Sequence, residues 1–116
     1  PYLQMSSLVF STGRGVREAM TMGVPAAILN SNEYDGVVSA DSVEKLRWCN
    51  FSGRATRRLP TAETIAKDIA GLASDLGKWS RLAQWSRSYA IGNFDLNSMI
   101  DKTEAIYERV RKRRNL

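Results

Sequence analysis

Residues 7–29 read SLVFSTGRGVREAMTMGVPAAIL, and the order of apolar, glycine-rich and amphipathic pieces within them sets the fold. Residues 7–11, SLVFS, form a short apolar run ended by small polar residues, the pattern of a strand buried on both faces of a parallel sheet. After a Gly-rich turn comes a helix of about ten residues, with Val16, Ala19 and Met20 on one side and Gly23 as its C-terminal stop. Pro25 opens a second apolar run, PAAIL, at the strand-start position that proline tolerates. Strand, helix, strand in this length is a βαβ unit.

Outward from that unit, residues 30–36, NSNEYDG, read as a polar loop at the carboxyl end of the second strand. Ligands of open α/β sheets gather at that edge. DSVEKLRWC reads as a short helix capped by Asp41. NFSGRATRRLP reads as a strand near residues 50–56 and a loop holding Arg54, Arg57 and Arg58. From Pro60 onward the periodicity is helical. Thr61 caps a helix whose apolar face is Ile65, Ile69 and Leu72, with Ala66, Ala70 and Ala73. A second helix carries Trp79, Leu82, Trp85 or Ser86, and Tyr89, and is broken at Gly92 and Asn93. The last, capped near Asp95, places Leu96, Met99, Ile100, Thr103, Ile106, Tyr107 and Val110 on one stripe. The predicted class is α/β: a partial parallel sheet of two to three strands flanked by helices, with a helical C-terminal half. Residues 1–116 are expected to form a single domain, 1–60 carrying the strand/helix/strand region and 61–116 the helices.

The 116 residues suit one domain with room for one binding surface. Apolar residues at 43% and charged residues at 25% give the balance of an ordinary globular protein. No apolar run approaches the roughly 18 residues of a membrane span, and no basic-then-apolar leader pattern opens the sequence. With the lone Cys49 this leads to the expectation of a reducing, cytoplasmic setting. The absence of histidine removes the commonest general base and the commonest metal ligand, so proton transfer would rest on carboxylates. Neither metal nor cofactor is expected. The net charge of +5 equals the contribution of Arg109, Arg111, Lys112, Arg113 and Arg114. Cations there suit the negative end of a helix dipole. Contact with acidic phospholipid is a second reading of the same tail. Nucleic acid is not expected as a partner, because the cations are not spread over a surface with aromatic residues interleaved.

Glycine costs about 1 kcal/mol against alanine inside a helix, so Gly13 and Gly15 ask for a reason. A Gly-rich turn from strand to helix exposes backbone N–H groups beside the positive end of the dipole, an arrangement that attracts phosphate. Arg14 or Arg17 adds charge-assisted contacts to a pyrophosphate. Glu18, about one turn into the helix, is placed to accept hydrogen bonds from a pair of sugar hydroxyls. On the competing reading the glycines only make a tight turn, Glu18 compensates the dipole and the arginines are solvated. Glu18 also stands where the dinucleotide fingerprint G-x-G-x-x-G has its last glycine, which argues against a nicotinamide or flavin site.

An apolar strand ending in Ser11, the Gly-containing turn, Glu18-Ala19-Met20, Gly23, Pro25 and a second apolar strand together resemble the nucleotide-sugar motif of GT-B type glycosyltransferases. These have two Rossmann-like lobes. The resemblance implies that Glu18 holds the ribose and that the backbone of Gly13, Arg14, Gly15 and Val16 meets the phosphates or donor sugar of a nucleotide-diphosphate sugar. It covers most of the chain, with only Glu18 to Pro25 specific. Many retaining members carry a second glutamate ahead of the first, at the position that is Phe10 here; Glu33 is the nearest candidate to replace it. The resemblance also implies that an N-terminal acceptor lobe and the first part of the donor lobe lie outside this chain, so that the chain alone does not turn over. A nucleotide-sugar 2-epimerase and a non-catalytic α/β interaction module are the alternatives. An open sheet edge leads to the expectation of a homodimer.

Overall fold

A computed structural model describes residues 7–94 and 96–114, with residues 96–100 described by their backbone alone. The element order is β1 (Val9–Ser11), α1 (Arg14–Thr21), β2 (Ala26–Leu29), β3 (Tyr34–Val37), α2 (Val43–Trp48), α3 (Ala62–Ala73), α4 (Leu76–Asn93) and α5 (Leu96–Arg114). The expected strand/helix/strand unit is present: β1 and β2 are parallel, with Val9 opposite Ala26 and Ser11 opposite Ile28. Pro25 is buried immediately before β2.

The sheet departs from expectation in its third strand. Residues 34–37, read as part of a polar loop, form β3, which runs antiparallel to β2 and makes the sheet mixed, in the order β1-β2-β3. The Asn30 side chain makes the reversal. Its Oδ1 accepts the amides of Asn32 and Glu33 at 2.8 and 2.7 Å, and the Asn30 backbone amide donates to the Glu33 carbonyl at 3.0 Å. Asp35 would be costly inside the strand, since it is only 5% exposed. Its carboxylate instead accepts the Ala55 and Thr56 amides, both at 2.9 Å, and the Thr56 hydroxyl at 2.8 Å.

The segment near residues 50–56, expected to be a strand, is a loop. Asn50 and Phe51 have φ of 58° and 54°, which no strand admits. They close α2. The Asn50 amide donates to the Arg47 carbonyl at 2.8 Å and the Phe51 amide to the Leu46 carbonyl at 2.9 Å, the paired bonds of a Schellman ending with Asn50 as the left-handed residue. Phe51 and Leu46 then meet in the core. At the other end of α2 the N-cap is Ser42 rather than Asp41, and the Ser42 hydroxyl donates to the Val37 carbonyl at 3.1 Å.

One core joins Val16, Ala19 and Met20 of α1, Ala26 and Ile28 of β2, Val43 and Leu46 of α2, Phe51, and Ala90 of α4. Thr61 caps α3, accepting the Thr64 amide at 3.2 Å, and Asp75 caps α4, accepting the Lys78 amide at 3.0 Å. On α3 the expected apolar face is only part-covered: Leu72 is buried, whereas Ile69 is exposed. On α4 the Trp79 indole donates to the Ser7 carbonyl at 2.6 Å, fixing the helix beside the start of β1. The Asp95 expected to cap α5, and the side chains of Leu96, Met99 and Ile100, lie outside the described residues. From Asp101 to Arg114 every side chain of α5 is exposed. At 1.5 Å per residue α5 is about 28 Å long, and the molecule measures 60 × 27 × 26 Å. No helix among the described residues is long and apolar enough to cross a membrane.

Candidate functional site

Because β1 and β2 are parallel, the turn that leaves β1 and the loop that leaves β2 lie at the same edge of the sheet. Gly13 makes the first turn. Its φ of 52° and ψ of −118° are open to glycine and strained for any side chain, and a Cβ there would meet nothing within 4 Å. The corner is open to solvent. Gly15 has a different reason to be glycine: a Cβ would overlap the Ser11 side chain, lying 2.9 Å from its Cβ and closer still to its hydroxyl.

α1 begins at this corner without a side-chain cap. The four candidate amides do not behave alike. That of Gly13 donates to the Phe51 carbonyl at 2.8 Å and that of Gly15 to the Thr12 carbonyl at 3.1 Å, so both serve the protein itself. The amides of Arg14 and Val16 have no backbone acceptor among the described residues beyond those of the helix. Val16 is fully buried, backbone included, so its amide is not offered to solvent.

Glu18 points into water from the same helix. Its Oε1 accepts the Arg14 Nε–H at 2.8 Å, with the Arg14 and Glu18 side chains 91% and 51% exposed. An exposed pair of this spacing is worth about 0.3–0.5 kcal/mol, so either partner is easily released. Arg17 is committed elsewhere. Its guanidinium donates to Asn50 Oδ1 at 2.6 Å and lies over the Phe51 and Phe94 rings, 5.4 and 5.7 Å from their centroids. Of the two arginines considered for a pyrophosphate, Arg14 is the one left facing solvent.

Three residues not singled out in the sequence complete this edge. Asn30 Nδ2 donates to the Ser52 carbonyl at 3.0 Å, joining the loop after β2 to the Asn50–Gly53 segment. Phe51 joins that segment to Gly13, and Asn50 joins it to Arg17. The legible signal was Asn50 itself, because asparagine just past a helix commonly takes the left-handed ending. Glu33 sits in the same loop, but its Oε2 is shut off from solvent without a hydrogen-bond partner, and the Arg57 guanidinium stands 3.8 Å away. It does not present a carboxylate at the corner.

At the opposite edge, beyond Val37, a cleft of about 690 Å³ is lined by Val37, Ser39, Lys67, Asp68, Arg81 and Trp85, with further residues of α3 and α4. None of the five residues singled out in the sequence reaches it. Among the described residues no group of three or more His, Cys, Asp or Glu side chains could hold a metal ion. The Gly13 corner thus offers one helix amide, that of Arg14, with one arginine and one carboxylate, a set suited to holding an anion with attached hydroxyls. It contains no nucleophile with an adjacent base. Comparison with known proteins finds no family model, no curated protein and no solved structure that matches the chain.

Proposed function

We propose that this chain is the donor-binding part of a GT-B type glycosyltransferase, with Rossmann-like organisation, and that a nucleotide-diphosphate sugar binds at the Gly13 corner. The observation that supports this most is the open, uncapped start of α1 at the carboxyl edge of the sheet, with the Glu18 carboxylate displayed in water about one turn along. On this reading Arg14 moves from Glu18 to the diphosphate, and Glu18 is released to accept hydrogen bonds from the ribose. The exposed pair is weak enough for both moves. Gly13, Gly15 and the buried Val16 shape the corner, and the amide of Arg14 is the main-chain donor. The sugar is then held toward a cleft completed by an acceptor-binding lobe outside this chain, where placement and charge stabilisation of the leaving diphosphate favour transfer. No side chain of the corner acts as a general base, so the chain by itself is expected to bind donor without turnover.

Calorimetric titration with uridine, guanosine and adenosine diphosphates tests the proposal. At least one is expected to bind, with affinity reduced about tenfold by Glu18→Ala, a charge-assisted contact being worth 1.5 kcal/mol or a little more. Absence of binding by all three to a chain that is folded by circular dichroism would favour the interaction module. A diphosphate site insensitive to Glu18→Ala would move the ligand elsewhere.

A further inference from the structure

Helix α5 gathers apolar side chains on one face, on which Arg114, four residues after Val110, also falls. Ile106, Tyr107 and Val110, with Thr103, follow the three-and-four spacing of a single helical stripe, and the three larger side chains are 53, 70 and 50% exposed. Asp101 and Glu108 lie on the far side with Lys112, and Glu104 lies beside Arg111, seven residues away. Lys102, Arg109 and Arg113 run along one margin of the apolar stripe, and Arg111 lies along the other. Ile106, Val110, Arg109 and Arg113 line one shallow groove, so that apolar and cationic groups adjoin. Arg111 is held on its side by Glu108, at 2.9 Å.

We infer that α5 lies on an anionic bilayer surface, its Ile106–Tyr107–Val110 stripe entering the boundary between headgroups and acyl chains and its marginal arginines meeting lipid phosphate. The distribution of charge selects this occupant. A helix lying in an interface needs an apolar stripe bordered by cations, with acids turned to water, and α5 has the stripe, the wholly cationic margin of Lys102, Arg109 and Arg113, and Asp101 and Glu108 on the far side. A second copy of α5 packed antiparallel fits less well, because it would set the margin of Lys102, Arg109 and Arg113 against itself. The inference does not depend on the donor site, which lies on a different element.

The test is cosedimentation of the 116-residue chain with vesicles of phosphatidylcholine alone and of phosphatidylcholine with about one third phosphatidylglycerol, whose surface charge attracts basic segments. Binding is expected to the anionic vesicles only. It should fall about tenfold both in Arg109→Glu/Arg113→Glu and in Ile106→Asp/Val110→Asp, since charge and apolar insertion both contribute. Helix content and thermal midpoint, measured alongside, show that the variants fold. Absence of binding to anionic vesicles overturns the inference, as does binding that Ile106→Asp/Val110→Asp leaves intact, because the stripe would then be outside the interface. Self-association abolished by Ile106→Asp/Val110→Asp, with no vesicle binding, would assign the stripe to a second copy. Nucleotide titration of the same variants keeps this outcome separate from that of the donor site.

Discussion

Gly13 and Gly15 differ in what makes them glycine. At Gly13 the backbone itself is the obstacle, whereas at Gly15 the obstacle is the Ser11 side chain. Gly15→Ala is expected to destabilise the chain by about 1–3 kcal/mol in urea unfolding, the usual cost of overpacking, and Ser11→Gly in the same chain should recover part of it. At Gly13→Ala the Ser11→Gly change should recover nothing. Tyr34 supplies a residue whose effect depends on pH. Its hydroxyl donates to Asp68 at 2.7 Å, and burial, with that hydrogen bond and the Asp68 charge, raises its pKa well above the ordinary phenol value despite Arg58 nearby. The folded chain therefore holds this proton more tightly than the unfolded one. Its contribution is complete below about pH 10, the ordinary phenol value, and is lost as pH rises beyond it. Urea midpoints should fall more steeply above that pH in the unsubstituted chain than in Tyr34→Phe.

Among the elements, α2 is ended by Asn50 and Phe51 together, with Asn50 the first left-handed residue. Asn50→Gly should preserve the ending, because glycine adopts the left-handed conformation freely, while Asn50→Val should cost about 1–2 kcal/mol in unfolding experiments. Both variants lose the Arg17 hydrogen bond, so their difference isolates the backbone. The same residues show where the sequence was legible. The β1–α1–β2 unit could be read because its strands are continuous apolar runs and its helix has one apolar side. β3 could not, since Asp35 reads as a loop residue until the amides of Ala55 and Thr56 are found to satisfy it across 20 residues of chain. The strand expected near residues 50–56 failed through Asn50 and Phe51, whose positive φ leaves no mark on local hydropathy. At the corner, position was legible and bonding was not. The sequence placed Gly13, Arg14, Gly15, Val16 and Glu18 together, but not the use of the Gly13 and Gly15 amides by Phe51 and Thr12, nor the commitment of Arg17 to Asn50.

The whole molecule is a small α/β body with a helical arm. Its radius of gyration of 16.7 Å exceeds the ~13 Å typical of a compact domain of this length, and the exposed α5 accounts for the direction of the excess. Deleting the chain from Asp101 onward should therefore leave the thermal midpoint within about 2 °C, because exposed side chains contribute little to the folded core; differential scanning calorimetry on both chains would measure this. Among the described residues β1 is one of the two edge strands of the sheet, and on the proposed reading that edge receives either further strands of the donor lobe or a second copy, which sedimentation velocity distinguishes. The ring of Phe51 has a reach beyond its own loop. Its carbonyl takes the Gly13 amide, and its ring meets Phe94 edge-on, 5.7 Å between centroids, where α4 gives way to α5. A substitution at Phe51 is thus felt at two addresses, the mouth of the glycine corner and the root of the arm, and its phenotype belongs to neither alone.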